Sequence, residues 1–498
     1  MYDEVNEEII GPFPEWIKLV SERRSTMKRI LSTIIAALVA ASFVGVIFAA
    51  GPAAPTAVTA KKALERKALA RKARKARKAQ KTQKIQKTQM GRAPAAALHG
   101  ASSAASLSGN FQSASVVIGQ SNFMSSSINQ GGSPAANTLQ YPYGNPVVAN
   151  GIFYLPDTIN HRVLGFNTVP SANNASADFV LGQPDFTTNS YGDAANELHY
   201  PQTIKYYNGK LFVLDSGNNR VLIWNNLPTT TQSPADIVVG QADFGFSEEG
   251  AEGASNQTGL WEPESMEVVG GKLIVSDTLN NRVVIWNSIP TVNGAPADLV
   301  LGQKDFIHNA ANDDDQNGTE DAGPTARTLS SPTGVWSDGT KLLVADSFNN
   351  RVLIWTNFPM ANFKPADYVI GQSDFIHNAE NDDDQDGIED EAPSARTFDY
   401  PYAIFATESQ LFVTDFWNNR IVVWNGIPTS NFASANWVLG QPDFTTPVSE
   451  IYENEGDGLP IPSPTAQLLY LPGGVYVSDD KLFVADTYAN RYLIFDLQ

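Results

Sequence analysis

Residues 332–355 have the sequence PTGVWSDGTKLLVADSFNNRVLIW, and variants of this stretch occur six times between residues 113 and 498. Three markers recur in the same order: a proline that opens an apolar run, a phrase Asp-x-x-[Asn/Ala]-[His/Asn]-Arg, and a phrase Gly-Gln-x-[Asp/Asn]-Phe. Self-similarity at a period of several tens of residues is typical of proteins built from repeated supersecondary units. The fold is therefore decided by one unit and by how six such units associate.

The spacing of the markers shows which part of the repeat varies. The prolines are Pro142, Pro201, Pro263, Pro332, Pro401 and Pro472. The Asp phrases begin at Asp157, Asp215, Asp277, Asp346, Asp415 and Asp486. The Gly-Gln phrases begin at Gly119, Gly182, Gly240, Gly302, Gly371 and Gly440. The distance from proline to aspartate is 14 residues in five repeats and 15 in the first, and from aspartate to the following Gly-Gln it is 25. The distance from Gly-Gln to proline ranges from 19 to 32, so length variation is confined to this connection.

Each repeat contains four short runs of β-forming residues separated by turn-forming residues. In the third repeat these runs are 264–269, 272–276, 282–286 and 297–302. Four-stranded antiparallel units that repeat radially form a β-propeller, in which each twisted sheet packs on its neighbours. The sequence thus predicts an all-β, six-bladed propeller, with an aromatic residue nine positions after each aspartate packed between blades. These residues are Phe166, Trp224, Trp286, Trp355, Trp424 and Phe495.

The order of the runs predicts how the ring closes. The first repeat begins with a single outer strand at 114–119, and the last repeat ends with its third strand at 491–495. Pairing of 116–118 with 492–494 gives the last blade its fourth strand and removes an open sheet edge. We therefore predict one propeller domain over residues 113–498 that is closed by its own N-terminal strand.

The phrase Pro-x-x-[Val/Ile], the strand 341–346 and the run Asn349-Asn350-Arg351-Val352 resemble the NHL-repeat family of six-bladed propellers, in a secreted or membrane-anchored prokaryotic form. The resemblance covers residues 113–498, and the sequence departs from the family pattern in its long inserts and in the Gly-Gln-x-Asp-Phe phrase. Membership would imply a scaffold that binds proteins, RNA or other ligands, with a few enzymatic relatives.

Charge is divided unevenly along the chain. The 498 residues include 34 Lys and Arg and 53 Asp and Glu, which gives a net charge of −19. Residues 1–109 contain 19 basic and seven acidic side chains, so the remainder contains 15 basic and 46 acidic ones and has a net charge of −31. A propeller this acidic disfavours specific nucleic-acid binding. The chain has no cysteine, which excludes disulfides, thiolate metal sites and a cysteine nucleophile.

The N-terminal region predicts export from the cytoplasm. Residues 30–50 are 21 uncharged, mostly apolar positions. This length spans a bilayer, and the small residues that follow also suit a cleaved signal peptide, so signal peptide and membrane anchor both stay open. Residues 1–29 form a leader, and translation from either Met1 or Met27 is compatible with it. We expect an extracytoplasmic propeller that is secreted, periplasmic or anchored through 30–50.

A basic arm follows at residues 61–92, with 14 Lys and Arg and a single acid, Glu65. Crowded like charges oppose a helix until an anionic partner neutralises them, so the arm is either a solvated spacer or an attachment to an anionic surface. Residues 93–112 are small and polar and predict a flexible linker between the arm and the propeller.

Two near-identical inserts are candidate calcium loops, since both contain a D-x-[DN]-x-[DN]-G core. Hard Ca²⁺ takes six to eight oxygen ligands around a tight turn. The first loop would supply Asp313, Asp315, Asn317, the Thr319 carbonyl and Asp321. The second would supply Asp382, Asp384, Asp386, the Ile388 carbonyl and Asp390. The bidentate Glu of an EF-hand is replaced by proline, so a solvated acidic turn is the alternative to a structural Ca²⁺ site.

The sequence contains little that predicts catalysis. In enzymatic six-bladed propellers a metal is held in the central channel, and the residues that follow the repeat prolines here include one carboxylate. They are Tyr143, Gln202, Glu264, Thr333, Tyr402 and Gly473. We therefore predict a non-catalytic binding scaffold whose insert-bearing face holds a protein, a glycan or another ligand. The alternative is a metal-dependent hydrolase or lyase that uses Glu264 in the channel. The oligomeric state is not predicted.

Overall fold

The computed structural model describes residues 105–247, 255–446 and 464–498. The leader, the segment 30–50 and the basic arm 61–92 lie outside the described residues, as does linker 93–104. Within the described ranges, no helix is both long enough and apolar enough to cross a membrane.

Six four-stranded antiparallel sheets make up the described chain, which confirms the six-bladed propeller. Blade 1 consists of β2 (Val147–Ala149), β3 (Ile152–Asp157), β4 (Arg162–Phe166) and β5 (Phe179–Leu181). Blade 2 consists of β6 (Pro201–Tyr207), β7 (Lys210–Asp215), β8 (Arg220–Trp224) and β9 (Ile237–Val239). Blade 3 consists of β10 (Ser265–Val269), β11 (Lys272–Asp277), β12 (Arg282–Trp286) and β13 (Leu299–Leu301).

The remaining blades follow the same order from the innermost to the outermost strand. Blade 4 consists of β14 (Pro332–Ser337), β15 (Leu342–Asp346), β16 (Arg351–Trp355) and β17 (Tyr368–Ile370). Blade 5 consists of β18 (Pro401–Ala406), β19 (Leu411–Asp415), β20 (Arg420–Trp424) and β21 (Trp437–Leu439). Blade 6 consists of β22 (Pro472–Ser478), β23 (Lys481–Asp486), β24 (Arg491–Asp496) and β1 (Val116–Ile118). Short 3-10 helices occur at Ile128–Gly131, Thr158–Asn160, Ser216–Asn218, Thr278–Asn280, Ser347–Asn349 and Thr487–Ala489.

Ring closure occurs in the predicted register. β1 pairs antiparallel with β24, with Val116 opposite Ile494 and Ile118 opposite Tyr492. The last blade thereby obtains its outer strand from the beginning of the domain, and no blade edge is left unpaired at the seam.

The propeller begins earlier than the sequence predicted, because residues 105–112 pack on it instead of continuing the linker. Leu107 is 1 % exposed, and its backbone N–H donates to Gln410 Oε1 at 2.8 Å. The N–H of Phe111 donates to the carbonyl of Val438 in β21 at 3.0 Å. In the preceding blade, Phe432 makes the equivalent bond to Val369 of β17. Residues 105–114 therefore supply the connection that blade 6 otherwise lacks before its outer strand.

The core lies between neighbouring blades. The six predicted aromatic residues are all buried, with Trp355 2 % exposed, which confirms their interblade position. The indole N–H of Trp355 donates to the carbonyl of Lys364 at 3.0 Å, so its polar atom is satisfied at the edge of the core. The glycine of each Gly-Gln phrase lies against a buried side chain of the following insert, where there is no space for a Cβ atom. A Cβ on Gly371, whose φ is +91°, would lie 2.3 Å from the ring of Phe398.

An antiparallel meander places its second-to-third turn and its exit to the next blade at the same end. The Asp-x-x-Asn-Asn-Arg turns and the Gly-Gln-to-proline connections therefore share one side of the propeller, which we call the insert-bearing face. The turns between first and second strands, such as 407–410, lie on the opposite face. The innermost strands β2, β6, β10, β14, β18 and β22 contact one another around the axis and form the wall of the central channel.

Candidate functional site

The repeated Asp-to-Arg turns hold the insert-bearing face together. In blade 4, Arg351 Nε donates to Asp346 Oδ2 at 2.7 Å, and both side chains are fully buried. The remaining guanidinium N–H groups donate to the carbonyls of Phe375, Thr325 and Thr328 at 2.7 to 3.0 Å. Each described repeat has the same Asp–Arg pair. Because the guanidinium is saturated by the carboxylate and insert carbonyls, the predicted structural role of the turn is confirmed.

The fifth residue of each turn connects one blade to the next. Asn350 has a left-handed backbone (φ +51°), and its Oδ1 accepts the N–H of Tyr400, directly before the next repeat proline, at 2.8 Å. Its amide nitrogen donates to the carbonyl of Asn378 at the base of the following insert. His161 replaces this asparagine in blade 1, and its Nδ1 accepts the N–H of Tyr200 at 3.2 Å. The inserts are thus anchored at their bases by buried polar contacts.

In the first acidic insert, the chain folds around Asp313. This side chain is fully buried, and its two oxygens accept the N–H groups of Asn317 and Gly318 at 3.0 and 2.8 Å. Asp321 Oδ2 accepts the N–H of Asp314 at 3.0 Å, which brings the end of the loop back to its start. Asp313, Asp315 and Asp321 each offer a carboxylate oxygen within 4.8 Å of the other two.

The second insert repeats this geometry. Asp382 accepts the N–H groups of Asp386 and Gly387 at 3.1 and 2.9 Å, and burial raises the pKa of its carboxyl group. Asp382, Asp384 and Asp390 form the second three-carboxylate cluster, again within 4.8 Å.

The structure therefore brings together six of the ten predicted ligands in two clusters. The other four lie in the same turns. Asn317 Oδ1 accepts the N–H of Thr319 at 2.9 Å, and Asp386 Oδ1 accepts the N–H of Ile388 at 2.7 Å.

An arginine outside each cluster fixes the loop to the scaffold. Arg327 pairs with Asp314 at 3.1 Å, and its guanidinium lies 4.8 Å from the centre of the Phe363 ring. Arg396 and Asp383 form the equivalent pair in the second insert, at 2.8 Å. These two arginines thus pair with Asp314 and Asp383, which lie next to the candidate metal ligands in the sequence. They do not pair with the clustered aspartates themselves.

The central channel is closed by side chains near the insert-bearing face. Tyr402 reaches across the axis from blade 5, and its hydroxyl hydrogen-bonds to Glu264 of blade 3 and, at 3.0 Å, to Gln202 of blade 2. Glu264 is 3 % exposed, and burial raises its pKa to about 8. Within the ring that follows the repeat prolines, Glu264 is the single carboxylate, so this layer does not supply a multi-carboxylate metal cage.

Sequence reasoning missed Phe416, which fills the channel beside this ring. Five repeats have a hydroxyl residue directly after the turn aspartate: Thr158, Ser216, Thr278, Ser347 and Thr487. Phe416 takes this position in blade 5, and its ring stacks with those of Tyr402 and Tyr143 at centroid distances of 5.3 and 6.2 Å. The break in the pattern was visible in the sequence, but the partners of the ring were not.

Further aromatic residues form what we call the channel mouth, on the insert-bearing side of that ring. They are Tyr141, Phe348, Tyr400, Trp417 and Tyr488. Tyr141 contacts Tyr488 edge-on at 5.5 Å, and Phe348 contacts Tyr400 edge-on at the same distance. The mouth is therefore aromatic, with phenol groups beside the buried Glu264.

A second polar pair links the innermost strands of blades 2 and 3, closer to the opposite face. Lys205 Nζ lies 3.0 Å from Glu267 Oε2, and both side chains are buried. The ammonium group also lies 6.0 Å from the centre of the Phe405 ring. The sequence did not reveal this pair, because the two residues belong to different repeats.

Negative charge is concentrated on the insert-bearing face. The described parts of the six Gly-Gln-to-proline connections contain 22 Asp and Glu and three Lys and Arg. Six further aspartates are neutralised by the turn arginines. Six of the eight exposed large apolar side chains of the described residues lie on this face, and Val292 and Met360 lie on the opposite one. The six are Met124, Tyr191, Phe246, Ile307, Phe348 and Ile388. Acidic and apolar groups are thus interspersed on one side of the domain.

An open groove of about 380 Å³ lies near the closure seam on the opposite face. It is bordered by Val116, Val148, Pro170, Asp480 and Lys481. Its basic side chain, Lys481, is already paired with Asp496 at 2.5 Å.

No protein-family model matches the chain, and no curated protein matches it either. Among solved structures, virginiamycin B lyase from Staphylococcus aureus is 12 % identical, with 73 % of this chain and 98 % of that chain covered and a TM-score of 0.33. A streptogramin B lyase is 11 % identical over 73 % of this chain and 95 % of that chain, with a TM-score of 0.35. The WD40 β-propeller domain of Doa1 is 8 % identical, with 79 % of this chain and 95 % of that chain covered and a TM-score of 0.37. The resemblance to the NHL-repeat family stays a prediction, and these similarities assign neither a substrate nor a partner.

Proposed function

We propose that the propeller is an extracytoplasmic binding scaffold whose insert-bearing face holds a partner protein with a basic, partly apolar surface. The observation that carries this proposal is that 22 acidic and only three basic side chains occur in the described connections of one face. Exposed apolar residues on the same face, such as Ile307 at 70 %, add the contact area that a protein partner desolvates. A glycan is the alternative ligand, since the channel mouth is aromatic.

The scaffold beneath this face supports a binding role. Six buried Asp–Arg pairs fix the bases of the inserts, whereas the inserts themselves vary in length between repeats. Variable loops on a rigid framework are the usual location of binding residues. Near the start of the described chain, Leu107 lies beside Gln410 on the opposite face.

We propose in addition that each acidic insert binds a structural Ca²⁺. Asp313, Asp315 and Asp321 would hold one ion, and Asp382, Asp384 and Asp390 the other, with Asn317, Asp386 and the carbonyls of Thr319 and Ile388 completing the ligand sets. The ion would neutralise converging carboxylates and stiffen the loop. The protein residues that hold the loop shape without it are the N–H donors of Asn317 and Gly318.

Export through residues 30–50 and attachment of the arm 61–92 to anionic lipid or wall polymers complete the proposal. The arm has 14 basic residues and one acid, which suits electrostatic binding near a negatively charged surface. Cell fractionation together with N-terminal sequencing of the mature protein tests this part, and a cytoplasmic protein that begins at residue 1 would contradict it.

The binding proposal is tested with two charge-matched triple variants. One neutralises exposed acids of the insert-bearing face: Glu320→Gln, Glu389→Gln and Glu391→Gln. The other neutralises the same number on the opposite face: Glu408→Gln, Asp479→Asn and Asp480→Asn. A partner is cross-linked in the cell-envelope fraction, purified, and titrated against all three proteins. We expect the first variant to weaken the affinity about 10-fold or more and the second to leave it unchanged; equal effects would refute the assignment of the face.

The alternative function, a hydrolase or lyase in the channel, depends on Glu264. A buried carboxyl with a raised pKa is a common feature of catalytic sites, and this is the observation that keeps the alternative. Lactone, ester and peptide substrates are assayed with the native protein and with Glu264→Gln. Turnover by the native protein that is lost in Glu264→Gln would show that the propeller is an enzyme and would contradict the scaffold proposal.

A further inference from the structure

Glu264 differs from the other carboxylate that lines the described channel. Glu267 has a basic partner, Lys205, at 3.0 Å. The hydrogen bonds of Glu264 are made to Tyr402 and Gln202, which carry no charge. Its carboxyl group is buried, so ionisation there requires a cation that the surrounding side chains do not provide.

The hydroxyl of Tyr143 gives a second, independent indication of a ligand. Tyr143 is 3 % exposed, and its hydroxyl oxygen makes no hydrogen bond to any described residue. Unpaired buried hydroxyl groups are rare, because they lose their bonds to water without replacement. The Tyr143 ring lies 6.1 Å from that of Tyr402, whose hydroxyl contacts Glu264, so Tyr143 belongs to the same cluster.

Aromatic rings surround this cluster and pack on one another. Phe416 stacks with Tyr402 and Tyr143 at centroid distances of 5.3 and 6.2 Å, and Tyr400 lies 6.3 Å from Tyr402. Aromatic faces attract ammonium groups through the ring quadrupole, and they do so more strongly away from water. The carboxylate and phenol oxygens can accept hydrogen bonds from the N–H groups of a primary ammonium ion. For a quaternary ammonium ion, the carboxylate balances the charge.

We propose that the channel mouth binds an organic ammonium group, which packs against the aromatic side chains of the mouth and pairs with Glu264 and the Tyr143 hydroxyl. The excess acidic charge of the insert-bearing face raises the local concentration of cations at this mouth. The site rests on residues at the axis and not on the acidic inserts. It is therefore separate from the proposed protein-binding role, and the two can fail independently.

The test uses choline, its uncharged isostere 3,3-dimethylbutan-1-ol, and n-butylammonium as probes, with the full-length protein and isothermal titration calorimetry at constant ionic strength. We expect both cations to bind at least 10-fold more tightly than the alcohol. Glu264→Gln is expected to remove this preference, because it keeps the shape and removes the charge.

Two further variants separate the proposal from general effects. Glu320→Gln removes an exposed charge from the same face and is expected to leave the preference for cations unchanged. Tyr143→Phe removes a hydroxyl that has no described partner, so it is expected to fold normally and to weaken choline binding several-fold.

Equal binding of choline and the alcohol would overturn the proposal and indicate a site for uncharged ligands. A cation preference that survives Glu264→Gln or falls equally in Glu320→Gln would also overturn it, since surface charge would then explain the binding. If Glu264→Gln does not fold, unchanged choline affinity in Tyr143→Phe is the contradicting result. None of these outcomes depends on whether a protein partner is found.

Discussion

Glu264 shows how the protonation of one residue depends on its hydrogen-bond partners. The Tyr402 phenol has one proton but contacts both the Gln202 oxygen and the Glu264 carboxyl. The hydrogen bonds from Tyr402 and Gln202 favour the ionised carboxylate, whereas burial disfavours it more strongly. The net result is a Glu264 pKa of about 8.

Stability is therefore expected to fall as pH rises through the range set by Glu264. The folded pKa of about 8 lies above the ordinary value of 4.5, so the folded protein binds the extra proton in this interval. The charged groups around it are acidic or phenolic, namely Glu262, Tyr143, Tyr400 and Tyr402. The free energy of unfolding should lose about 1 kcal/mol per pH unit between pH 5 and 8.

Urea unfolding of the native protein and of Glu264→Gln at pH 5, 7 and 9 measures this effect. The variant is expected to lose less stability than the native protein as the pH rises. Parallel curves for the two proteins would show that Glu264 is already ionised in the fold.

Arg351 is a residue whose removal should be costly. Its replacement by Met leaves Asp346 buried without a counter-ion and frees three carbonyls from their donor. Loss of one partner of a buried ion pair typically costs about 3–5 kcal/mol. Arg327→Met is the control, because its pair with Asp314 is 40 % exposed on the arginine side and is worth about 1 kcal/mol or less. Similar unfolding curves for the two variants would contradict the structural role of the buried Asp–Arg pair.

At the scale of elements, the closure by the N-terminal segment can be dissected by truncation. A chain that begins at residue 105 keeps all of the described contacts and is the reference for two shorter chains. Removal through 112 takes away buried Leu107 and the bond from Phe111 to Val438 and should lower the melting temperature by about 5 °C or more.

Removal through 122 also deletes β1 and should prevent cooperative melting of the whole ring. Differential scanning calorimetry follows all three chains. An unchanged melting temperature after loss of β1 would show that closure contributes little to stability.

The two acidic inserts are the elements expected to respond to calcium. An ion bound to the folded loops stabilises the protein by mass action, by about 2.7 kcal/mol at 100 times the dissociation constant. Melting curves are recorded with Ca²⁺, with Mg²⁺ and with chelator, and the double variant Asp315→Ala and Asp384→Ala is expected to abolish the Ca²⁺ shift. Identical curves with Ca²⁺ and chelator for the native protein would leave the loops as solvated acidic turns.

At the scale of the whole molecule, charge asymmetry should govern association with the proposed basic partner. The acidic connections lie on one side, so attraction depends on orientation and is screened by salt. The association rate constant is expected to fall about 10-fold between 50 and 500 mM NaCl, while the dissociation rate changes less. Surface plasmon resonance separates the two rates. A salt-independent association rate would indicate an apolar interface instead.

The sequence by itself determined the number of blades, the closing strand and the positions of the acidic loops. These features follow from local patterns: β-forming runs, turn residues at constant spacing, and carboxylates at alternating positions around a glycine. The turn arginines were predictable as structural because they recur in every repeat. Whether the chain belongs to the NHL-repeat family, and whether Ca²⁺ binds, stay predictions.

Only the tertiary structure decided which side chains meet at the axis. Tyr402 and Glu264 are 138 residues apart, and Lys205 and Glu267 are 62 residues apart. These contacts depend on how the six blades are arranged around the axis. The sequence of a single repeat does not specify that arrangement. The docking of residues 105–112 has the same cause, because a small, polar segment has no β pattern of its own and becomes ordered by filling the connection that the last blade lacks.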